Sequence, residues 1–150
     1  MKFSVNQQDL QKSLGYCQGV IEKRSTLPIL SNVLLEINSG HLTITATDLD
    51  LIFIHKISNV EILEEGKTTT SSSIMYDIVR KISSGSKISF SNPSESKLQL
   101  ESEKSIFNLN CISASEFPLT DENFNQNQFS MHSKDLLKLS LIHISEPTRP

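Results

Sequence analysis

The sequence is poor in the features that mark several large classes of protein. Its 150 residues include no tryptophan, two cysteines, five glycines and five prolines. No apolar run approaches the roughly 20 residues that a membrane-spanning helix needs, so we expect no membrane segment. The first residues turn polar at once and lack the apolar core of a signal peptide, which predicts a cytoplasmic protein. The length suits one domain, or one domain and the start of another.

Motifs for cofactors and metals are also missing from the sequence. The glycines are scattered, so they form no phosphate-binding loop, and neither the cysteines nor the histidines follow zinc-site spacing. Cys17 and Cys111 are too few for a disulfide framework, and we expect both to be buried free thiols. The sequence therefore predicts a chain without a cofactor and without a paired nucleophile motif.

Charge is unevenly distributed along the chain. The net charge of −3 argues weakly against a nucleic-acid-binding protein. Basic residues nevertheless outnumber acidic ones in residues 1–30 and 74–87, whereas acidic residues outnumber basic ones in residues 36–66. The basic segments are those expected to be helical. An acidic protein with basic helices can present one face to DNA, although chance segregation of a few charges explains the pattern equally well.

Apolar periodicity predicts two helices. Asn6 is a good N-cap for the first helix, which follows a short strand at residues 1–5. The apolar face of this helix is expected to consist of Leu10, Leu14, Cys17 and Ile21. We expect Ser72 or Ser73 to cap the second helix, and Gly85 to end it. The expected apolar stripe of the second helix is Ile74, Ile78 and Ile82, with Met75 and Val79 beside them.

The remaining segments before residue 118 are typical of short strands separated by turns. The expected strands are residues 32–38, 41–47, 51–57, 60–63, 67–71, 87–91, 97–102 and 105–111. Turns are expected at residues 38–40, 64–66, 92–94 and 103–104. Each helix follows a short strand, and the other strands form antiparallel hairpins. This order predicts an α+β fold with both helices packed on one face of an antiparallel sheet.

Composition divides the chain after about residue 120. Residues 1–120 hold all the elements above and are expected to form the first domain. Residues 121–128 are polar and rich in Asn and Gln, which predicts a linker. Residues 129–138 repeat the opening pattern of strand, polar cap and Lys-bearing helix. We therefore expect them to begin a second domain of the same kind.

The best catalytic candidates are Asp48 and Asp50. Alternate residues of an extended segment point the same way, so the two carboxylates can hold Mg²⁺ and serve a small hydrolase. An aspartate between two strands more often accepts hydrogen bonds from nearby backbone N–H groups. Of the four widely spaced histidines, His41 and His55 are expected to be surface residues of strands.

Short motifs spread over the first 138 residues form an ordered series. The most specific is residues 24–30, Arg-Ser-Thr-Leu-Pro-Ile-Leu, followed by Asn32. Shorter motifs lie at residues 1–3, 47–49, 66–69, 77–78, 107–109 and 116–118. Together they resemble the first domain, and the opening of the second, of the bacterial DNA polymerase III β-subunit family, the sliding clamps.

The resemblance implies a function and a set of partners. In this family each chain has three similar domains, and two chains close head to tail into a ring around duplex DNA. Helices line the hole and grip DNA without reading its sequence. The ring tethers DNA polymerase III, makes replication processive and has no catalytic activity. The implied partners are duplex DNA, a second clamp protomer, the polymerase and the clamp loader, without a cofactor or a membrane.

The resemblance also assigns roles to basic residues. Arg24 matches a position at the inner rim of the ring and is expected to contact a DNA phosphate. Lys12, Arg80 and Lys81 are further candidate cations of the inner face. Ordinary solvated surface charge explains these three residues equally well.

A second group of residues matches the protomer interface of the family. Phe107 and Leu109 match the edge strand that meets the third domain of the partner chain, although ordinary core packing also explains their alternation. Neighbouring basic residues form ion pairs at this interface in the family. Lys104 matches one of these basic positions, whereas the apolar residue Ile106 occupies another.

The end of the chain departs from the family. Residues 139–150 resemble the in-frame translation of a sequencing adapter, and Pro147 and Pro150 forbid a continuing helix there. The family's pocket for client peptides is built from the second and third domains. We therefore expect this fragment alone neither to close a ring nor to bind clients through that pocket. An inert or interfering fragment that caps an intact clamp is the alternative function.

Overall fold

Two helices and nine strands form the part of the chain that the computed structural model describes, residues 1–21 and 27–118. The helices are α1 (Gln7–Gln18) and α2 (Ser72–Lys81), and the strands are β1 (Lys2–Asn6), β2 (Asn32–Asn38), β3 (His41–Thr47), β4 (Ile52–Ile57), β5 (Val60–Glu64), β6 (Gly66–Ser71), β7 (Lys87–Ser94), β8 (Lys97–Ser102) and β9 (Ser105–Ile112). The predicted α+β fold is confirmed. The expected linker, second-domain start and adapter-like tail (121–128, 129–138 and 139–150) lie outside the described residues and stay predictions.

All nine strands belong to one antiparallel sheet in the order β4-β3-β2-β6-β9-β8-β7-β1-β5. The join between β6 and β9 is short, because only Thr69 with Ile112 and Thr70 with Cys111 pair across it. Both threonine hydroxyls reinforce this join: Thr69 Oγ1 donates to the carbonyl of Ile112 at 2.6 Å, and Thr70 Oγ1 donates to the carbonyl of Asn110 at 3.0 Å. Before this join, β9 has strand partners only in β8 within the described part of the chain.

Helix α1 forms as its sequence pattern predicts. The side chain of Asn6 accepts a hydrogen bond from the backbone N–H of Gln8 at 2.8 Å, so the predicted N-cap is confirmed. The predicted apolar face is confirmed for Leu10, Leu14 and Cys17, which are buried; Ile21 is also buried but lies beyond the end of the helix. Gln7 ties α1 to α2 by donating from Nε2 to the carbonyl of Val79 at 2.8 Å. Neither helix in the described ranges has the length and hydrophobicity that crossing a membrane requires.

Helix α2 differs from its predicted boundaries and face. Its N-cap is Ser71, whose hydroxyl accepts from the N–H of Ile74, so neither Ser72 nor Ser73 caps it. The helix ends at Lys81, and Gly85 lies beyond it in a turn with φ +88°. Met75 and Val79 are fully buried, whereas Ile74 is 53% exposed. The apolar stripe of α2 is wide enough for the helix to bury either the side of Ile74 or the side of Met75 and Val79. Contact with α1 and the sheet buries the side of Met75 and Val79.

The sheet extends beyond several predicted strand ends. Strand β7 continues to Ser94, so the expected turn at residues 92–94 is wrong, and the chain turns at residues 95–96. Pro93 lies where the pairing of β7 with β8 is irregular, between Ser91 and Ser94. A proline has no N–H to donate, so an irregular stretch is where a strand tolerates it best.

The core lies between the sheet and the two helices. The predicted inner side of β3 is confirmed, because Leu42, Ile44 and Ala46 are fully buried. Phe3 and Phe90 face each other across β1 and β7, and their rings stack with centroids 4.7 Å apart. Pairing and stacking together fix the register of these two strands.

Both cysteines are free thiols, but only one is fully buried. Burial raises the pKa of Cys17 from 9.0 to about 12. Cys111 is half-buried, which corrects the prediction that both thiols are buried. Burial also raises the pKa of Cys111, while a hydrogen bond with Thr68 and the charge of Lys97 act in the opposite direction.

Replacing Gly15 by alanine should stabilise the chain. A Cβ there would lie 3.6 Å from the Tyr76 hydroxyl, an ordinary contact distance, and alanine is favoured in a helix by about 0.5–1 kcal/mol. Gly66→Ala is the contrasting variant, because its Cβ would lie only 2.9 Å from the Cβ of Met1. We expect it to destabilise the chain by about 1–3 kcal/mol. Urea unfolding measures both changes, and a destabilising Gly15→Ala would contradict this packing.

Thiol labelling should distinguish the two cysteines. The thiolate is the reactive form, so at about pH 8 we expect a thiol reagent to modify Cys111 first and Cys17 only after unfolding. Because the pKa of Cys17 is raised on folding, its contribution to stability is complete below about pH 9 and is lost as the pH rises toward 12. Mass spectrometry with and without urea measures the order. Equal labelling rates in the folded chain would show that Cys17 is accessible.

Candidate functional site

The outer faces of α1 and α2 form a shared surface, which we call the helix-pair surface. A hollow of about 540 Å³ lies on it, lined by Gln8, Gln11, Lys12, Gly15, Tyr16 and Tyr76. The helical period puts Gln8, Lys12 and Tyr16 on the side of α1 opposite its buried face. Lys12 is exposed and has no ion-pair partner among the described residues. This surface therefore presents a lysine without an ion pair among the described residues, at a hollow that Tyr16 and Tyr76 also line.

Arg80 on α2 lies near the same surface, but its charge is partly occupied. Its guanidinium is 2.7 Å from the carboxylate of Asp77 and lies over the ring of Tyr76, 4.9 Å from the centroid. The Arg80 and Asp77 side chains are each about half exposed, at 51% and 57%. An exposed ion pair of this kind is weak, so an anion in solution can compete with Asp77 for Arg80.

Lys81 lies in different surroundings from Lys12. It lines a hollow of about 280 Å³ together with Lys104 and Phe107, two of the predicted interface residues. The structure therefore places Lys81 with the predicted interface residues Lys104 and Phe107. Lys12 and Arg80 are instead linked by Tyr76, which lines the same hollow as Lys12 and contacts Arg80. Arg24, the basic residue with the most specific assignment, lies outside the described residues. The DNA contacts of all four residues stay predictions.

The free side of β9 carries the predicted interface residues. Phe107 is half-buried, whereas Leu109 is only 7% exposed and belongs to the core. Core packing therefore accounts for the Leu109 side chain, and this residue contributes to the edge through its backbone. Ile106, noted above only as the replacement of a basic residue, is 57% exposed and is the apolar side chain that this edge presents to solvent. Strand alternation carried the signal, since Ile106 must point away from the face of Phe107 and Leu109.

Asp48 serves the turn between β3 and β4. Its Oδ1 accepts from the backbone N–H of Asp50 at 3.0 Å and of Leu51 at 2.6 Å. These bonds match the alternative in which the aspartate satisfies local backbone donors. Leu49, between the two aspartates, has φ +81°, a conformation that such turns impose. No group of three potential metal-binding side chains occurs in the described ranges. The geometry therefore does not support the alternative of a Mg²⁺-dependent hydrolase that uses Asp48 and Asp50.

His55 is more constrained than the surface residue that was predicted. It is half-buried, and its Nδ1 lies 2.5 Å from the hydroxyl of Ser13 on α1. The rings of Tyr16 and Phe53 lie beside it, with centroids 5.9 Å and 6.2 Å away. No pattern in the sequence predicts this cluster, because it forms only where α1 packs against β4.

Comparison with known proteins places this domain in a family. The family model described as DNA polymerase III beta subunit, N-terminal domain, matches residues 1–121. The beta sliding clamp of Caulobacter vibrioides is 33% identical over 140 residues, which cover 93% of this chain and 37% of that protein. The beta sliding clamp of Escherichia coli K12 is 32% identical over 139 residues, with 93% and 38% covered.

A solved structure agrees with the sequence relatives. The structure of Caulobacter crescentus pol III beta matches with a TM-score of 0.77 and 35% identity, covering 82% of this chain and 33% of that one. The chain thus spans little more than a third of the length of the curated relatives it matches. The match nevertheless includes both helices and all nine described strands. The chain belongs to the DNA polymerase III beta subunit family, of which it carries the N-terminal domain.

Proposed function

We propose that this chain provides the first domain of a processivity clamp of bacterial DNA replication. Family membership carries the proposal, because the relatives named above are beta sliding clamps. In the proposed assembly, two full-length copies form a ring around duplex DNA in the cytoplasm and tether DNA polymerase III. Since the chain spans 37% of its Caulobacter relative, ring closure, loading and polymerase binding belong to the longer protein.

The proposed DNA contact is made by the helix-pair surface. A duplex displays phosphates at regular spacing, and an exposed ammonium group attracts them without reading base sequence. Lys12 supports this role because it is exposed and free of ion pairs among the described residues. Arg80 can exchange its weak pairing with Asp77 for a phosphate. Arg24 is assigned to the same role by its match to the family's inner-rim position.

The proposed role is mechanical and non-catalytic. A clamp makes and breaks no covalent bond, so its measurable property is a weak electrostatic contact that falls as salt is added. A weak contact suits sliding, because strong or sequence-specific bonds would hold the ring at one position. The acidic turn at Asp48 and Asp50 has a structural part in this scheme, as the two hydrogen bonds to Asp48 indicate.

A second candidate function applies to this chain when it is produced by itself. Among the described residues, no strand pairs with the side of β9 that faces away from β8 from Ser105 to Leu109, where Ile106 and Phe107 lie. An open strand edge is a template for another strand. The isolated chain can therefore cap the matching edge of a full-length clamp and interfere with ring closure, with Lys104 and the neighbouring Lys81 beside the contact.

Neutralising Lys12 should weaken DNA binding. We expect Lys12→Gln to lower the affinity of the chain for a short duplex and to reduce the slope of log K against log salt by about 0.9, the loss of one phosphate contact. Lys97→Gln is the matched control, because Lys97 is an exposed lysine of β8. Fluorescence anisotropy at several salt concentrations measures both variants. Equal effects of the two substitutions would mean that the helix-pair surface has no special role.

Mixing the chain with a full-length clamp should disturb the ring. We expect sedimentation of the Caulobacter clamp to shift from dimer toward a complex of one protomer with this chain. Ile106→Asp should prevent the shift by placing a charge on the open edge. Leu63→Asp is the matched control, because Leu63 is 81% exposed on β5 at the far end of the sheet. An unchanged clamp dimer in the wild-type mixture would exclude the interfering role.

A further inference from the structure

Asp77 lies next to the cation that α2 places near the helix-pair surface. The two residues are three positions apart, and Oδ1 of Asp77 accepts a hydrogen bond from Nη2 of Arg80 at 2.7 Å. Residues three apart are neighbours on the surface of a helix, so this pairing needs no change of the backbone. Asp77 has no other ion-pair partner among the described residues. Within that part of the chain, its carboxylate therefore acts on Arg80.

Tyr76 positions Arg80 beside the hollow that Lys12 lines. The guanidinium of Arg80 lies over the Tyr76 ring, 4.9 Å from its centroid, and Tyr76 itself lines that hollow. A Cβ on Gly15 would lie 3.6 Å from the Tyr76 hydroxyl, so the ring reaches from α2 to α1. A guanidinium on an aromatic face keeps its N–H groups directed along its own plane, where an anion can accept from them.

A carboxylate and a phosphate are alternative acceptors for this one guanidinium. Both make charge-assisted hydrogen bonds with arginine. Asp77 belongs to the same helix, so it remains beside Arg80 at a high effective concentration however little DNA is present. A phosphate that binds Arg80 either displaces Asp77 or lies close to its negative charge. Both alternatives lower the affinity for DNA.

We propose that Asp77 is an internal competitor that weakens the grip of Arg80 on a DNA phosphate, while Tyr76 holds the guanidinium within reach of both acceptors. The inference rests on the proposed function, because it concerns how tightly the same helix-pair surface binds duplex DNA. Lys12 offers that surface a charge without an ion pair among the described residues, whereas the charge that Arg80 offers is reduced by Asp77. A contact reduced in this way suits a ring that slides along DNA.

Removing the charge of Asp77 should tighten DNA binding. Asparagine keeps the shape of the side chain, so we expect Asp77→Asn to raise the affinity of the chain for a short duplex about two- to five-fold at low salt, the range of an exposed ion pair. The slope of log K against log salt should steepen by up to about 0.9, because Arg80 then neutralises a phosphate more fully. Fluorescence anisotropy at several salt concentrations measures both quantities.

The exposed ion pair of Glu61 with Lys87 supplies the matched control. Its side chains are 68% and 65% exposed, and Glu61→Gln changes the net charge as much as Asp77→Asn does. The neighbouring Ile88 is buried in the core, so strand alternation directs Lys87 to the side of the sheet away from the helices. Glu61→Gln should therefore leave the affinity unchanged. A rise of the same size in both variants would overturn the proposal, because net charge alone would explain it.

A double variant shows whether Asp77 acts through Arg80. When Arg80→Gln is already present, Asp77→Asn should raise the affinity much less, because no guanidinium remains to be released. Tyr76→Leu should also reduce the rise, whereas Tyr76→Phe, which keeps the aromatic face, should preserve it. An equal rise with and without Arg80 would mean that Asp77 repels DNA directly, and the internal competitor would then be wrong.

The outcomes separate this inference from the proposed function. If Lys12→Gln weakens DNA binding and Asp77→Asn does not strengthen it, internal competition is wrong and the proposed DNA contact stands. If neither the wild-type chain nor its Asp77→Asn variant binds the duplex at low salt, the DNA contact itself is wrong and this inference falls with it. Circular dichroism checks that each variant is folded before its affinity is compared.

Discussion

Two residue pairs hold the nine strands together as one sheet. The β6–β9 join consists of Thr69 with Ile112 and Thr70 with Cys111, and the two threonine hydroxyls add bonds to β9 carbonyls. Thr69 also accepts from the side-chain amide of Asn32 at 3.2 Å, which links β2 to the same point. Both threonines are fully buried, where a hydrogen bond left unmade is costly. Because the join is so short, the rest of β9 has no second strand partner within residues 1–21 and 27–118, and the candidate interface depends on this.

The two helices owe their arrangement to this sheet. Helix α1 contacts strands on both sides of the β6–β9 join in sheet order, β1 on one side and β3 and β4 on the other, whereas α2 contacts β2 and β6 on one side. Gln7 then fixes one helix against the other through the carbonyl of Val79. The helix-pair surface therefore lies on one rigid support. The backbones that carry Lys12 and Arg80 keep a fixed spacing on it, which suits the proposed contact with regularly spaced phosphates.

Local signals and tertiary packing explain which parts of the structure the sequence predicts. Asn6, the face of α1 and the inner side of β3 follow from short-range pattern and are confirmed. The predicted orientation of α2 was wrong, because its wide apolar stripe can pack against the core in two ways. Only contact with α1 decides between the two. The extension of β7 through Pro93 depends on a bulge that no local rule marks. The histidine cluster needs Ser13, Tyr16 and Phe53 from two distant segments, and no pattern in one segment reveals it.

The position of β1 inside the sheet has a consequence for synthesis. This strand is made first, yet it lies between β5 and β7, and Phe3 stacks on Phe90. At about 5–20 residues per second, a ribosome needs roughly 4–17 s after making β1 to complete its partner β7. Until β7 is complete, β1 has only β5 to pair with and Phe3 lacks its stacking partner, although Phe3 and Val5 are almost fully buried at the end. The emerging chain therefore leaves one edge of an apolar strand unpaired until β7 has been made.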